Sequence, residues 1–534
     1  MTPESNGVVN KLIGGGHAVR RFLARFADKI IGVIDGFDRI VFRGWFGQFR
    51  YEEGMKAFLS SQQVLLKDFE PFAKSVTEML RADAEAAAAK LHGKVHYLTS
   101  PSTSKEKLAR KYMADLGVRF GPICVLSASE PCMTWEVHRS RERKHPQQFR
   151  RHSTKCLHYY HYFFDQRFGF GHVRVQSWFP FQVRVCLNGR EWLGRRLDEH
   201  RLRYERADNC FPWIARPERA QLLMDEFLAH RWTDTLDEVA VAANPMLGAL
   251  IDQLGQGLYW TTWQAEWATD VMFRNAESLA ECYPSLVRYA VENLKSEDVM
   301  RFLGKKLAPQ YRGEITTDYK KRVEGIRVKH WAANNSMKLY DKFAQVLRPE
   351  MTTNNPGQFK VRRKAQGKPD SPVMLRPLRR NVVDLRRLAR TAKACTHRYL
   401  DTLATVAVES PLGRIVEPLT RPTELAGRRV RGLRPWADPD VPLFEAVARG
   451  EFIANGFRNR DLVSLLYPEA ADDPAERRKV SAKVTRLLRL LRAHRLIEKV
   501  EGTHRYLVTE RGRTAIAAII AARTTPLSKL QQCG

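Results

Sequence analysis

Residues Leu488–Arg513, LRLLRAHRLIEKVEGTHRYLVTERGR, decide how the C-terminal part of the chain folds. The first residues continue an apolar stripe of Val480, Val484, Leu487, Leu488 and Leu491, set at the 3.6-residue period of a helix. Leu496–Glu501 then alternates, Gly502-Thr503-His504 supplies a turn, and Arg505–Thr509 alternates back, which predicts a β-hairpin. A helix from Arg511 to Arg523 follows. Upstream, Asp472-Asp473-Pro474 is a start signal, a capping aspartate followed by proline at the first helical position. Asn459–Tyr467 predicts a shorter helix capped by Asn459, and Leu443–Ala448 one that Gly450 ends. Helix, helix, hairpin and helix in that order are the plan of a winged helix-turn-helix over 443–525.

The run from Leu488 to Arg513 resembles the winged-helix modules of MarR-like proteins, in which an apolar helix leads to a wing and Thr-x-x-Gly enters the last helix. That resemblance implies nucleic-acid docking. The helix face opposite the apolar stripe carries Arg478, Thr485 and Arg489, with Lys479 and Arg486 beside it and Arg505 near the hairpin tip. Small and basic residues on a solvated helix can enter a major groove and contact base edges or phosphates.

Charge agrees with such a partner. Of 534 residues, 89 are Lys or Arg and 59 Asp or Glu, a formal net charge of +30, while 44% are hydrophobic and can build packed cores. The longest apolar stretches, Ala84–Ala89 and Thr514–Ala522, fall far short of the ~20 residues a membrane span needs. No secretory leader is legible at the start, and the eight cysteines include no C-x-x-C pair, which argues against a zinc ribbon and for reduced thiols in the cytoplasm.

The rest of the chain predicts a large mixed α/β body, so the fold class is α+β. Residues 1–150 form a first region. In it Lys29–Asp35 and Arg39–Arg43 are two strands of a hairpin turning at Asp35-Gly36, followed by helices over Glu70–Leu91 and Lys105–Leu116. Residues 151–375 form a second, with aromatic-rich strands over Lys155–Leu187, helices from Pro217 to Leu303 holding Trp260, Trp263 and Trp267, and a β-meander over 324–352 whose last strand Pro349 confines to an edge. Residues 376–442 comprise a basic helix and a linker. Arg376–Arg398 holds eight Arg or Lys and the single acid Asp384, so Arg379, Arg380, Arg386, Arg387 and Arg390 are candidate phosphate contacts. Interleaved aromatics and cations over Lys155–Arg184 could stack on unpaired bases.

Several segments, Gly36–Gly44, Trp178–Leu193, Met300–Leu307 and Val323–Pro356, resemble a large group of uncharacterised bacterial proteins often linked to mobile elements. Lys338-x-Tyr340-Asp341-Lys342 with Leu347-Arg348-x-Glu350 is also similar to rolling-circle replication initiators, which implies Tyr340 as a strand-nicking nucleophile and a metal held by two histidines. The nearest histidine pair, His158 and His161, would point to opposite faces of a strand. An RNase H-like nuclease is a further alternative, with Asp35 and Asp38 starting a carboxylate set for Mg²⁺ and Asp165, Glu191, Asp318 and Glu350 available to complete it. No P-loop or dinucleotide fingerprint is present, and no other cofactor is evident. The expected function is nucleic-acid binding, duplex DNA ahead of RNA, in regulation, replication or recombination. The alternatives are a metal-dependent nickase, nuclease or transposase, and a protein that partners a structured RNA.

Overall fold

Strand-forming alternation recurs from Ile30 to Thr353, and these segments join into one sheet. The computed structural model describes residues 20–139, 147–304, 315–322, 325–368, 370–404, 412–471, 473–500 and 502–525. Among the described residues, thirteen strands precede residue 354: β1 Ile30–Trp45, β2 His96–Tyr97, β3 Gly121–Arg139, β4 Gln147–Asp165, β5 Gly169–Gln176, β6 Val183–Asn188, β7 Tyr204–Ala207, β8 Cys210–Ile214, β9 Tyr259–Phe273, β10 Ile315–Arg322, β11 Gly325–Ala332, β12 Asn335–Lys342 and β13 Val346–Thr353. All but β7 and β8 form an eleven-stranded sheet in the order β10-β11-β12-β13-β9-β1-β6-β5-β4-β3-β2. Every pairing is antiparallel except β2 with β3. The chain is thus α+β, and the boundary expected at residue 150 falls inside β4: the first two expected regions share one sheet.

β1 is continuous for 16 residues, so the hairpin expected at Asp35-Gly36 does not form. Asp35 and Gly36 pair instead with Thr269 and Ala268 of β9. Turn propensity is a local preference, and a full ladder to a distant strand outweighs it. Gly36 serves packing here, since a methyl group in its place would lie 2.4 Å from Met224 Cε. Toward β6, β1 pairs only from Arg39 to Gly44. Over its first half that edge is closed by Gln221, whose Oε1 accepts from the Asp35 N–H (2.7 Å) while Nε2 donates to the Asp35 carbonyl (3.0 Å).

Two register shifts against β9 set the site. Phe37 pairs with Trp267 and Arg39 with Glu266, so Asp38 is an extra residue on β1. Val41 pairs with Gln264 and Phe42 with Thr262, so Trp263 is an extra residue on β9. Bulges of this kind re-aim a side chain. They also explain the tryptophans, whose helix-like spacing lies on a strand: Trp260 and Trp267 are buried, and Trp263 is exposed. Pro349 is not at an edge either. β13 lies between β12 and β9, and its ladder to β9 omits Arg348 and Pro349, where proline has no N–H to give.

Helices α1 Phe69–Ala89, α2 Lys105–Asp115, α3 Gly189–Glu199, α4 Pro217–Asp225, α5 Ser296–Phe302 and α6 Leu385–Leu403 pack around the sheet. The basic helix expected from Arg376 therefore starts only at Leu385. Met374–Pro377 is a strand paired with Lys360–Arg363, and Asn381 caps a short 3₁₀ turn before α6. Leu388, Ala392, Tyr399 and Leu400 of α6 join the core against the sheet.

A second core follows, with Leu443, Phe444, Leu462, Val484, Leu488, Leu491 and Ile519 buried together. It is built from Val416 and Leu419 of the helix Leu412–Thr420, Leu433, α7 Asp440–Val447, α8 Gly450–Asn455, α9 Asn459–Leu466, α10 Pro474–Ala493 and α11 Glu510–Thr524, with a three-stranded sheet of β14 Phe457–Arg458, β15 Ile497–Lys499 and β16 Arg505–Val508 in the order β14-β16-β15. Asp473 caps α10 by accepting from Ala475 N at 2.8 Å. Asn459 does not cap α9, whose cap is Arg458, its N–H donating to Asp461. The Asn459 amide instead donates across to Ser481 O and Thr485 Oγ1, both at 2.9 Å, locking α9 to α10.

Candidate nucleic-acid interface

Asp38, two residues beyond Gly36, faces the side of the sheet that carries Glu266, Asp270 and Glu350, and the bulge brings Arg39 to that side as well. Arg348, fully buried, donates to both oxygens of Asp270 (2.5 and 2.8 Å) and reaches Asp38 Oδ2 at 3.3 Å. Asn209, in the turn between β7 and β8, donates to both Asp38 oxygens at 2.8 Å. Arg190 reaches Asp270 at 3.1 Å, Arg39 pairs with Glu266 at 2.9 Å, and Lys338 with Glu350 at 2.5 Å. Four carboxylates therefore face four cations of the protein itself. Two-metal phosphodiester chemistry needs carboxylates left for the ions, and here guanidinium groups take that place.

Asp35 lies on the opposite face, under α6, where Thr269 Oγ1 (2.5 Å), His397 Nε2 (2.9 Å) and Lys393 Nζ (3.1 Å) surround it. Burial alone would raise its carboxyl, but His397 and Lys393 outweigh that and hold it well below the ordinary carboxylate range. Asp35 and Asp38 thus cannot share one ion, contrary to the carboxylate set expected from a hairpin. Tyr340 donates to Glu350 Oε2 at 2.5 Å; burial and that carboxylate push the phenol well above its ordinary value, which keeps it protonated rather than primed as a nucleophile.

The second bulge builds a different arrangement. Arg43 and Arg184 are direct cross-strand partners, and like charges so placed repel. Their Cζ atoms lie 4.3 and 4.6 Å from the Trp263 ring centroid, and Arg43 also lies 4.9 Å from Trp45, which Arg50 approaches at 4.9 Å. Among the described residues neither Arg43 nor Arg184 has a carboxylate partner, and the Nε of each is buried without an acceptor. Burial lowers Arg43 to about 10, helped by Arg380 and Arg50; burial, with Arg174 and Arg43, lowers Arg184 likewise to about 10. A set of stacked arginines short of negative charge is an electrostatic complement to phosphate. Sequence reading missed it because the three residues lie on three strands and the tryptophan reaches them only through the bulge.

On α10, Arg478, Lys479, Thr485 and Arg486 are exposed and Arg489 half-buried, while Val480, Val484, Leu487, Leu488 and Leu491 are buried. Lys479 pairs with Glu476 at 3.1 Å, both well exposed, a contact that water and salt screen. Arg505 is half-buried on β16 and reaches the Gly456 carbonyl at 3.4 Å. The basic segment near α6 is engaged more internally than expected. Arg379 and Arg387 both pair with buried Asp384, Arg380 donates to the Asn354 carbonyl at 2.7 Å and Arg386 to that of Leu228 at 3.1 Å, while Arg386 and Arg390 stay exposed.

Among the described residues no helix is long and apolar enough to cross a membrane. Comparison of the chain with protein-family models, with curated proteins and with solved structures yields no match.

Proposed function

We propose that this chain is a nucleic-acid-binding protein that docks on duplex DNA through a winged helix-turn-helix over 443–525, in keeping with its resemblance to mobile-element proteins. The observation that carries the reading is α10: its apolar stripe is buried, and its opposite face presents Arg478, Lys479, Lys483 and Arg486 to solvent with Glu476 as the acid nearby. α9 is fixed against it by Asn459, as a recognition helix needs a rigid partner, and the β15–β16 hairpin supplies the wing. The test is anisotropy with labelled duplex DNA, single-stranded DNA and duplex RNA between about 50 and about 200 mM salt. Duplex DNA should bind most tightly, with affinity falling steeply as salt rises. R478A/K479A/R486A should weaken it roughly tenfold or more at unchanged Tm. If no polynucleotide is retained in a salt-dependent way, the reading is wrong.

A second reading has its own observation, the Arg43–Trp263–Arg184 stack. It supports an unpaired strand or a structured RNA laid across the polar sheet face, with arginines on phosphates and the exposed Tyr259 available to bases. R43Q/R184Q should then lower single-strand affinity and leave duplex affinity in place.

A further inference from the structure

Two strands from Arg184, the β3–β4 ladder gathers three soft donors. Its register sets Cys132 opposite Thr154 and Cys156 opposite Glu130, so the two cysteines are diagonal neighbours on one face. His158 lies two residues beyond Cys156 on the same strand and therefore on that face. Cys132 Sγ and Cys156 Sγ are 2.8 Å apart, His158 Nε2 is 4.0 Å from Cys156 Sγ, and all three donor atoms lie within 4.8 Å of one another. His161, three residues from His158, points to the other face and takes no part.

The surroundings suit a ligand set better than a chance meeting of thiols. His158 is fully buried, and its Nδ1 is 3.1 Å from the Cys156 carbonyl. That contact makes Nδ1 the protonated nitrogen and aims the Nε2 lone pair at the sulfurs, the orientation that metal-bound histidines take from an outer hydrogen bond. Glu130, the cross-strand partner of Cys156, is held by Arg174 at 2.7 Å.

We propose that Cys132, Cys156 and His158 bind one thiophilic divalent metal ion, ordinarily Zn²⁺, with a fourth coordination position open to water or to an added donor. Two thiolates would cancel the charge of the ion, so the buried site would remain neutral. Tetrahedral Zn²⁺ with Zn–S of ~2.3 Å and Zn–N of ~2.0 Å sets its donors roughly 3.5–3.8 Å apart, so the thiols move apart by about 1 Å and the imidazole closes slightly. Cys156 also lines a cavity of about 620 Å³ with Thr134, Glu136, His152, Thr154 and Trp178, giving the fourth position room for a small ligand. Three protein ligands with one open position is the pattern of reactive zinc sites, whereas purely structural sites close all four.

The experiment uses the full-length protein purified under reductant without chelator. Elemental analysis should find about one Zn²⁺ per chain, and Co²⁺ exchange should give thiolate-to-cobalt charge-transfer absorption with the d–d bands of a tetrahedral site. C156S should abolish that absorption and H158A should shift and weaken it, whereas C124S, a buried cysteine outside the cluster, should leave it unchanged. Removing the metal should lower Tm in the wild type and not in C156S. The proposal is overturned if wild-type protein neither carries metal nor gains the cobalt bands when titrated. It is equally overturned if peptide mapping after alkylation in the cell finds Cys132 and Cys156 joined as a disulfide, which would make the pair a redox couple.

Discussion

Arg348 and Arg43 stand on one face of one sheet, yet their surroundings set opposite consequences for replacing them. Arg348 is enclosed with Asp38 and Asp270, and removing its charge strands two buried carboxylates. Arg348→Met should therefore cost about 3–5 kcal/mol of stability, read as a lower urea midpoint at unchanged slope. Arg43 faces Arg184 without a counter-charge, so Arg43→Gln should leave the urea midpoint unchanged or higher while polynucleotide affinity falls. Asp401 gives a pH signature. Burial, only partly opposed by Arg21, pushes its carboxyl up to about 7, and one oxygen has no partner. The fold favours its neutral form, so the stability it contributes is complete below the unfolded value of ~3.9 and is lost as pH rises through about 7. Asp401→Asn should accordingly lose less Tm than wild type between about pH 5.5 and about pH 8. At this scale the residue types of the polar face were legible, but their directions were not. Asp35 and Asp38 are three apart and face opposite sides, and the register against a strand more than 220 residues away decides what each one meets.

Elements differ in how far their causes lie along the chain. α10 was legible nearly in full, because its cap, its proline and its apolar stripe are all local. β1 and β9 were not. An Asp-Gly pair and a helix-like tryptophan spacing argue for a turn and a helix, and only the mutual pairing of the two strands overrides both. The close donors Cys132 and Cys156 come from neighbouring strands, so no C-x-x-C pair announces them, and Cys156-x-His158 was the available sequence signal. Asn459 tests the coupling of two elements. Asn459→Ala should cost about 1 kcal/mol for each hydrogen bond lost and should loosen α10 against α9. Duplex affinity should then fall by more than the small drop in Tm would suggest; an unchanged affinity would mean that the orientation of α10 is set elsewhere.

The described residues form two principal cores that share no residue, one built within residues 22–403 and one within 416–519. Calorimetry should resolve two transitions, and added duplex DNA should raise the one belonging to the C-terminal core. A chain ending at Pro442 should keep the other transition and retain a residual, salt-dependent polynucleotide affinity carried by the sheet face. Complete loss would place all binding beyond Pro442. With a net charge of +30, encounter with any polyanion is steered at low salt, so specificity has to be judged at physiological ionic strength. Finally, Gln221 occupies the backbone groups of Asp35 as a neighbouring strand would. Because Asp35 is buried and the helix Pro217–Asp225 packs over this edge, Gln221→Leu should strand a backbone donor and a backbone acceptor away from water, at a cost of about 1–3 kcal/mol for each group, read as a lower urea midpoint.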